Sequence, residues 1–550
     1  MKRVVALLVK KQKSVGAAAF VLALMVLTSR LLGLIRDRLL AARFAPDELG
    51  VYFAAFRLPN LLFELLVMGA LTSAFIPVVT KYLTQKKEND AWSMVSTLIN
   101  VSLLILILIA LPFFIWAREF SKMFAPGFSD GQIEQMVTYT RFMIAFQVTP
   151  LLIGNLFTGL LQAYQLFLVP ALAPVIYNLG IIAGILLLTP ALGLMAPVVG
   201  VAIGAVLFMV IQIPLIFSVG YRYRFEMYYR HPGVREVGKL MLPRTIGLAI
   251  GQIDTTVDLI LASLLGARMV TIFNFAQHLQ QLPIGLFGTT IAQAALPTLS
   301  ISEALEDRQQ FQHVILRSLH QILFFILPLS VFFIVLRIPI VRLVFGASRF
   351  DWSATVLTGM TLAMFSISLF AQAVSQVLAR GFYALYDSKT PVIVGVVSIL
   401  VNTILSIYFI RVLHLSVWSL GLSTSVASIL NSFVLFIILD KRLGYFPRAK
   451  LIVSPIKMLV AALVTAITLY IPMKLFDQLV FDTTRTLGLL LLTGTAGLVG
   501  LFTYSFLSWV FGVGEIRSFI ALLRKVSKSS TVLLEPASEV IDGGGQDKLT

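Results

Sequence analysis

Residues 101–116 read VSLLILILIALPFFIW and contain no charged side chain. With their flanks they form one of many apolar runs of about 18 to 25 residues, the length of α-helix that crosses a bilayer. Strands of a membrane barrel would instead alternate polar and apolar residues at every second position. Because backbone polar groups must be hydrogen-bonded within lipid, such continuous runs predict helices. The stretch therefore predicts an all-α membrane protein.

The composition of the whole chain agrees with this prediction. Of its 550 residues, 58% are hydrophobic and 13% are charged, and the mean hydropathy is +0.93. One water-soluble core could not bury so much apolar surface. The net charge of +17 does not indicate nucleic-acid binding, because no soluble segment is long enough to collect these cations on one folded domain. The absence of cysteine excludes disulfides and says nothing about function.

Apolar runs bounded by charged or Gly/Pro-rich breaks predict about fourteen transmembrane helices. The first six cover residues 16–40, 51–80, 92–117, 134–162, 168–189 and 195–219. The next six cover residues 238–266, 270–298, 314–345, 355–384, 390–412 and 415–439, and two further spans cover 453–475 and 485–511.

The loops differ in charge on the two sides of the predicted membrane. Odd-numbered loops hold few cations, whereas the even-numbered loops include the basic segments YRYRFEMYYRHPGVREVGK (221–239) and DKRLGYFPRAK (440–450). Cytoplasmic loops carry the excess of Lys and Arg. Both termini are therefore predicted to be cytoplasmic, in a multi-pass protein of the inner membrane.

A weak internal repeat appears when the chain is slid on itself by about 221 to 224 residues. At this offset Pro59 meets Pro283, Phe124 meets Phe345, and Asn178 meets Asn402. We therefore predict two parallel six-helix halves, residues 1–219 and 220–440, followed by two appended helices in 441–513 and a polar, disordered tail in 514–550. Parallel repeats are typical of alternating-access transporters, whose substrate binds between the halves.

The first predicted span carries the polar side chains Ser29, Arg30, Arg36, Asp37 and Arg38. A charge at the centre of a membrane helix costs about 2.5 to 3.5 kcal/mol on insertion scales, so each needs a partner, an aqueous cavity or a route to the interface. Arg30 and Asp37 share a face but lie about 10 Å apart along the axis, so Arg30 is left for another anion.

In the second span Arg57 precedes Pro59 and Asn60. Pro59 should kink the helix and create a polar notch beside the cation. Guanidinium groups suit a diphosphate because they stay charged and donate paired hydrogen bonds. Alternatively, Arg36, Arg38 and Arg57 extend to the membrane interface or pair with Asp37 and Glu64.

Asp254 and Asp258 lie one turn apart in the seventh span. Two carboxylates on one face repel each other unless a proton or cation lies between them. They therefore indicate either a site for a coupling ion, sodium or a proton, or structural carboxylates paired with an arginine of the first half. His278 in the eighth span either contacts substrate and titrates during transport or is a hydrogen-bonded packing residue.

Enzymatic motifs are absent from the sequence. It has no Walker loop, no metal-spaced His/Cys set and no nucleophile elbow. The residues therefore favour a transporter that needs no cofactor over a membrane-bound transferase, with energy taken from gradients or from the substrate.

Five motifs, in order, resemble the MurJ/MviN family: TSRLLGLIRD (28–37), AFRLPNLLFELLVMGALTSAFIPVV (55–79), FAPGF (124–128), LPIGLFGTTIAQAALPTLS (282–300) and GFYALYDSKTPV (381–392). The resemblance implies a flippase for lipid II, the undecaprenyl-diphosphate-linked precursor of peptidoglycan. The alternatives are an exporter of another polyprenyl-linked oligosaccharide or a drug exporter of the same superfamily.

The resemblance also implies roles for individual residues. The family's motif arginines correspond to Arg30 and Arg36, and its sodium-binding carboxylate corresponds to Asp258, with Asn402 as a companion. Ser29, Asp37, Arg57, Asn60 and His278 complete the predicted substrate site, and Asp254 completes the predicted ion site. The chain departs from the family pattern at Gly50, where an acidic residue is common, at Phe63 and Glu64, where basic residues are common, and near His278, where an arginine is common. A monomer is expected.

Overall fold

The computed structural model describes residues 15–68, 74–477 and 485–516, and the regular elements within these ranges are helices. Residues 1–14 and all but the first three residues of the predicted tail 514–550 lie outside them. The helices of the first half are α1 (Val15–Arg43), α2 (Pro46–Ala55), α3 (Arg57–Phe63), α4 (Ile76–Thr84), α5 (Glu88–Ile115), α6 (Ala117–Phe124), α7 (Asp130–Met143), α8 (Thr149–Ala163), α9 (Leu168–Leu192), α10 (Met195–Val210) and α11 (Ile213–Ser218).

The remaining helices belong to the second half and to the appended pair. They are α12 (Pro232–Leu264), α13 (Ala267–Pro283), α14 (Thr290–Ala304), α15 (Arg308–Val335), α16 (Arg337–Phe345), α17 (Trp352–Ser366), α18 (Leu369–Ala384), α19 (Lys389–Ile407), α20 (Trp418–Arg442), α21 (Arg448–Phe476) and α22 (Thr486–Val510). Short π-helical segments continue four of these helices: Glu64–Met68, Ile144–Val148, Ile284–Thr289 and Tyr408–Val412.

The predicted membrane architecture is confirmed. Eleven helical stretches among the described residues are long and apolar enough to cross a membrane, and a twelfth results if α17 and α18, bent by 44°, form one span. The two predicted spans outside this set are α1 and α12, which carry the charged residues of the first and seventh spans. The count of fourteen therefore stays a prediction, whereas the all-α polytopic fold is established.

The sequence repeat has a structural counterpart at the helix ends. A left-handed backbone conformation stops a helix and reverses the chain. Such residues recur at offsets of 220 to 224 residues, in the pairs Lys86 and Glu306, Gln165 and Tyr386, Gly193 and His414, and Gly220 and Gly444. This recurrence supports the division into two halves.

Small residues bring neighbouring helices together. Gly180 and Gly184 of α9 face Gly204 and Gly200 of α10, and a Cβ at either α9 position would overlap the opposing backbone. Spacing of small residues by four lets membrane helices approach closely. Helix α9 also packs against α1, so this pair forms a rigid support behind the charged helix.

The two halves meet at the end of the bundle that carries the α1–α2 and α12–α13 connections. One continuous apolar cluster there contains Leu49 and Val51 of the first half and Val270 and Phe275 of the second. The ring of Phe275 stacks on Phe345, with 4.1 Å between ring centroids. This cluster closes one end of the space between the halves.

Candidate functional site

A polar chamber of about 430 Å³ lies between the two halves. The first half contributes side chains from α1, α2, α3 and α9 and from the segment after α3, and the second half contributes α12 and α13. The lining residues are Arg36, Tyr52, Phe53, Phe56, Arg57, Asn60, Glu64, Tyr177, Gln252, Thr255, Leu259, Ala262, Phe273, Asn274, Gln277 and His278. Four of the seven predicted substrate residues therefore lie in its wall: Arg36, Arg57, Asn60 and His278.

Asp37 holds the most charged part of this wall together. One of its oxygens, Oδ1, accepts hydrogen bonds from Arg36, with Nε at 2.9 Å and Nη2 at 2.8 Å. The other, Oδ2, lies 2.8 Å from Nδ1 of His278. Only 3% of the Asp37 side chain is exposed, against 22% for Arg36 and 33% for His278. Asp37 therefore lies behind the chamber wall, whereas Arg36 and His278 expose their outer faces to the chamber.

Ser29 also lies behind the wall. Arg36 donates through Nη1 to Oδ1 of Asn178 at 3.3 Å, and the amide nitrogen of Asn178 reaches the Ser29 hydroxyl at 3.1 Å. Because Asn178 also donates to the Pro174 carbonyl at 3.1 Å, its side chain is fixed to α9. Ser29 and Asn178 therefore position Arg36 rather than line the chamber.

Arg30 lies on a different face of α1 from Arg36 and is not part of the chamber lining. Its Nη1 is 3.5 Å from the carbonyl oxygens of Gln281 and Leu282, at the end of α13. A Cβ at Gly285 would overlap the guanidinium group, so the cation rests directly on the glycine backbone. Both carbonyl contacts are at the distance limit for a hydrogen bond, and most of the donor capacity of Arg30 is left for another acceptor.

Arg57 and Glu64 connect the two halves across the chamber. Arg57, 8% exposed, donates to the Thr256 hydroxyl through Nε at 2.9 Å and to the Gln252 carbonyl through Nη2 at 2.5 Å. Glu64 accepts a hydrogen bond from the side-chain amide of Gln252. The pairing of Arg57 with α12 was missed at the sequence level, because the hydrogen-bond partners are an ordinary carbonyl and a threonine about 200 residues away.

The helix is interrupted close to Pro59, where the sequence predicts a kink. The helix breaks at Phe56, between α2 and α3. Pro59 has no amide to donate to the carbonyl four residues earlier, that of Ala55. Thr140 of α7 supplies the missing donor, with its hydroxyl 3.1 Å from that oxygen. The break directs Asn60 and Arg57 into the chamber.

The three predicted ion-site residues meet between α12 and α19, outside the lining of the chamber. The amide nitrogen of Asn402 lies 3.0 Å from Oδ1 of Asp254 and 3.3 Å from Oδ1 of Asp258. Asn402 and Asp258 are buried, with 2% and 3% exposed. The hydrogen-bond partner of both carboxylates is the amide of Asn402, and Arg57 of the first half interacts with Asp258 through its charge, so both predicted alternatives for these carboxylates stay open. Two carboxylates and an amide are oxygen donors suited to a hard cation such as sodium, provided that Asn402 turns its oxygen toward them.

Close backbone packing seals one end of the chamber. A Cβ at Gly50 would overlap the carbonyl oxygen of Ala267, and a Cβ at Gly127 would overlap that of Ser263. Thr271 donates to the Pro46 carbonyl at 2.6 Å. The departure from the family pattern at Gly50 thus has a steric cause, because an acidic side chain would prevent this contact. At the other end of α12, Lys81 pairs with Glu236 at 3.1 Å.

The residues that sequence reasoning missed are mostly uncharged. Asn274 and Gln277 lie on α13 with His278, at spacings of three and four residues that place them on one face. That spacing was readable in the sequence once His278 was selected. Tyr52 and Tyr177 carry no such signal, because aromatic residues are common throughout apolar spans.

Comparison with known proteins identifies the family. The family model described as lipid II flippase MurJ matches residues 42–487 of this chain, which covers both halves and all of the chamber except its α1 residue, Arg36. The chain belongs to the lipid II flippase MurJ family.

Curated relatives cover most of the chain. A protein of Burkholderia cenocepacia described as "Lipid II flippase MurJ" is 29% identical over 80% of this chain and 86% of its own length. A protein of Rhizobium meliloti described as "Probable lipid II flippase MurJ" is 28% identical over 97% of this chain and 99% of its own. Membership in the MurJ family and the many apolar helices make this chain a multi-pass inner-membrane protein.

A solved structure shows the same fold. The structure titled "Lipid II flippase MurJ, inward closed conformation" superposes with a TM-score of 0.75, at 24% identity, over 91% of this chain and all of that one. The all-α fold predicted from the sequence is therefore that of the MurJ family.

Proposed function

We propose that this protein carries lipid II across the membrane by alternating access, with the diphosphate of the substrate bound by arginines of the chamber. The observation that carries the proposal is the position of Arg36 and Arg57, two permanent cations in a cavity between the halves of a MurJ-family chain. An arginine binds a diphosphate through paired, charge-assisted hydrogen bonds.

The substrate path follows from the same geometry. The head group enters the chamber, where the amides of Asn60, Asn274 and Gln277 offer donors and acceptors to sugar and peptide groups. Arg30 lies beside the chamber and supplies a further cation. The polyprenyl tail stays in the bilayer. Separation of α2 from α13 then opens the sealed end.

Energy for export can come from the membrane potential. With a negative interior, outward movement of an anion is favoured by about 2.3 kcal/mol per charge per 100 mV. Asp254, Asp258 and Asn402 are our proposed site for a coupling sodium ion or proton. Both termini are proposed to be cytoplasmic, which makes the sealed end of the chamber the outer one, and the protein is proposed to act as a monomer.

Transport by purified protein tests the proposal. Proteoliposomes that contain fluorescent lipid II should show protein-dependent exposure of the head group on the opposite leaflet. Arg36→Ala should slow this step about tenfold or more, since a hydrogen bond to a charged group contributes about 1.5 to 3 kcal/mol. Arg349→Ala, an exposed cation outside the chamber, is the matched control. Equal rates for both variants would contradict the proposal.

The rival class, a membrane-bound transferase, needs a separate measurement. The same preparation should leave a polyprenyl-diphosphate sugar donor unchanged during flipping. Rescue of a strain depleted of its lipid II flippase should also distinguish lipid II from other polyprenyl-linked oligosaccharides. Failure to rescue with normal membrane insertion would favour the oligosaccharide exporter.

A further inference from the structure

A second charged cavity, of about 470 Å³, lies far from the chamber, between the second half and the two appended helices. Its wall is built where α15 ends, where α16 and α17 begin, and where α21 meets α22. Three cations line it: Arg337 and Arg342 of α16 and Lys474 of α21.

Aromatic rings hold two of these cations in place. The guanidinium carbon of Arg342 lies 5.7 Å from the ring centroid of Trp352, and the Lys474 ammonium lies 6.0 Å from that of Tyr470. Trp and Tyr are enriched at the level of the lipid head groups. The cavity also lies at helix ends, so its cations face the membrane interface.

The first half provides an internal reference for these cations. The residues Ser129 and Asp351 cap α7 and α17 in the same way, each accepting the amide of the third residue that follows. In the first half the cations of the equivalent short helix α6 are paired with α7: Arg118 with Glu134 at 3.3 Å and Lys122 with Asp130 at 3.7 Å.

The second half keeps neither member of these two ion pairs: counted from the caps, Arg118 corresponds to Ile340 and Lys122 to Val344. Counted from the caps, Asp130 corresponds to Trp352 and Glu134 corresponds to Val356. Arg337 and Arg342 stand at other positions of α16, and the ion pairs formed among residues 15–68, 74–477 and 485–516 include neither of them. Arg337 uses one donor on the Ile334 carbonyl, at 2.8 Å, out of the five that a guanidinium offers.

The remaining lining suits an amphiphile. Asp477 adds one carboxylate to the three cations, so the described lining keeps a positive balance. Apolar side chains of Ile338, Leu489 and Leu492 form another part of the wall. A phosphate at the cations and an acyl chain along this wall would satisfy both parts.

We propose that this cavity binds the phosphate head group of an anionic phospholipid. The lipid bridges α16 of the second half and the appended helices α21 and α22, which form part of the same wall. Each guanidinium near an anionic surface contributes about 1 kcal/mol, so each should change the preference for an anionic lipid about fivefold.

The Trp352 side chain offers a probe inside the cavity. The full-length protein is reconstituted in phosphatidylcholine with an equal mole fraction of either brominated phosphatidylglycerol or brominated phosphatidylcholine. Subtracting the emission of Trp352→Phe isolates the signal of this residue from the other four tryptophans. Brominated phosphatidylglycerol should quench Trp352 more strongly, and free inorganic phosphate should not relieve the quenching.

Variants then assign the preference to the cations. The Arg337→Gln/Arg342→Gln double variant should reduce it about 25-fold, the Arg337→Lys/Arg342→Lys pair should retain most of it, and Arg349→Gln, an exposed cation at the same end, should leave it unchanged. Should the Gln pair fail to insert, Lys474→Gln alone is expected to reduce the preference about fivefold. Equal quenching by the two brominated lipids, relief by free phosphate, or an unchanged preference in the Gln variant would overturn the proposal.

Discussion

Asp37 joins a residue of the first half to one of the second through a single buried carboxylate. Its two oxygens contact Arg36 and His278 separately. Removing one partner of a buried charged pair leaves the other uncompensated, which costs more than the pair contributes. Arg36 keeps some access to the chamber, and this exposure limits the loss.

Asp37→Asn should therefore destabilise the protein by about 3 kcal/mol, at the lower end of the range for buried pairs. The measurement is the apparent melting temperature in detergent, followed by loss of the monodisperse peak on size exclusion. The matched control is Asp47→Asn, an exposed carboxylate 3.9 Å from Arg268, for which about 0 to 1 kcal/mol is expected. Similar melting temperatures for the two variants would rule out this role of Asp37.

Gly285 should be required for the position of Arg30. Because a Cβ there would overlap the end of the flexible Arg30 side chain, Gly285→Ala should displace the guanidinium group and slow lipid II flipping, but by less than Arg30→Ala, which removes the cation. The double variant should be no slower than Arg30→Ala alone, since the glycine change acts only through the Arg30 side chain. Gly395→Ala, where a Cβ meets open space, is the control. Additive losses in the flipping rate would contradict the coupling.

The site was predictable from the sequence only where charge marks function. The energetic cost of a charged side chain within the membrane drew attention to Arg36, Arg57, Asp254 and Asp258. The structure places all four at polar sites between helices. The sequence did not reveal that Arg57 donates hydrogen bonds to α12, because backbone carbonyls carry no sequence signal. Nor could spacing within α1 decide that Arg30 faces α13 whereas Arg36 faces the chamber.

At the level of elements, helix positions followed from apolar run length, whereas their interruptions did not. The break before Pro59 was predicted because proline removes a backbone donor. The π-helical segments were not, since they arise where extra residues are accommodated within a helix and have no composition of their own. One of them, Ile284–Thr289, creates the surface on which Arg30 rests.

The contact between α2 and α13 should control closure of the chamber. Gly50→Ala would push α2 away from the Ala267 carbonyl and favour the state in which this end is open. Because the chain contains no cysteine, spin labels can be placed at Gln135 and Arg349, one on each half. Double electron–electron resonance should show a longer distance in Gly50→Ala than in the parent, whereas Gly131→Ala, where a Cβ is unobstructed, should not change it. A distance distribution unaltered by Gly50→Ala would refute this function of the contact.

Asp387 should make the start of α19 sensitive to acid. Hydrogen bonds from the Thr390 amide and hydroxyl, at 3.0 and 2.7 Å, together with the Arg442 guanidinium, lower the pKa of Asp387 to about 2. An ordinary aspartate titrates near pH 4. The stabilisation is therefore complete above about pH 4 and is lost as the pH falls toward about 2.

The dependence of the melting temperature on pH tests whether stability is lost in this direction. Between about pH 5 and pH 2 the apparent melting temperature of Asp387→Asn should fall less than that of the parent, because the substituted amide does not titrate. Glu119→Gln, at an exposed position on α6, is the control. A steeper fall in Asp387→Asn than in the parent would show that the linkage has the opposite sign.

At the scale of the whole molecule, the repeat explains why the chamber and the proposed lipid-binding cavity differ. Both halves use the same helix order and end helices with a positive φ at corresponding positions. The chamber forms where the halves face each other, with cations from the first half and amides and His278 from the second. The proposed lipid-binding cavity forms where α16 of the second half, with cations at positions different from those of α6, meets the two appended helices. This asymmetry is visible in the sequence once the halves are aligned.

The orientation proposed for the chain is also a property of the whole molecule. Cysteines introduced singly at Gln135 and Phe225 should lie on opposite sides of the membrane. An impermeant maleimide added to cells with a permeabilised outer membrane should label Gln135→Cys and leave Phe225→Cys unlabelled until the inner membrane is opened. Labelling of Phe225→Cys in intact inner membranes would place the termini outside.

Photo-crosslinking to lipid II tests most directly whether the substrate head group enters the space between the halves. A benzophenone side chain at Asn274 lies in the chamber wall, whereas one at Ile404, 65% exposed on α19, faces lipid. Lipid II labelled in its head group should crosslink at position 274 and not at 404, and Arg36→Ala should reduce the yield at 274. Crosslinking at 404 equal to that at 274, or a yield at 274 unchanged by Arg36→Ala, would contradict the account.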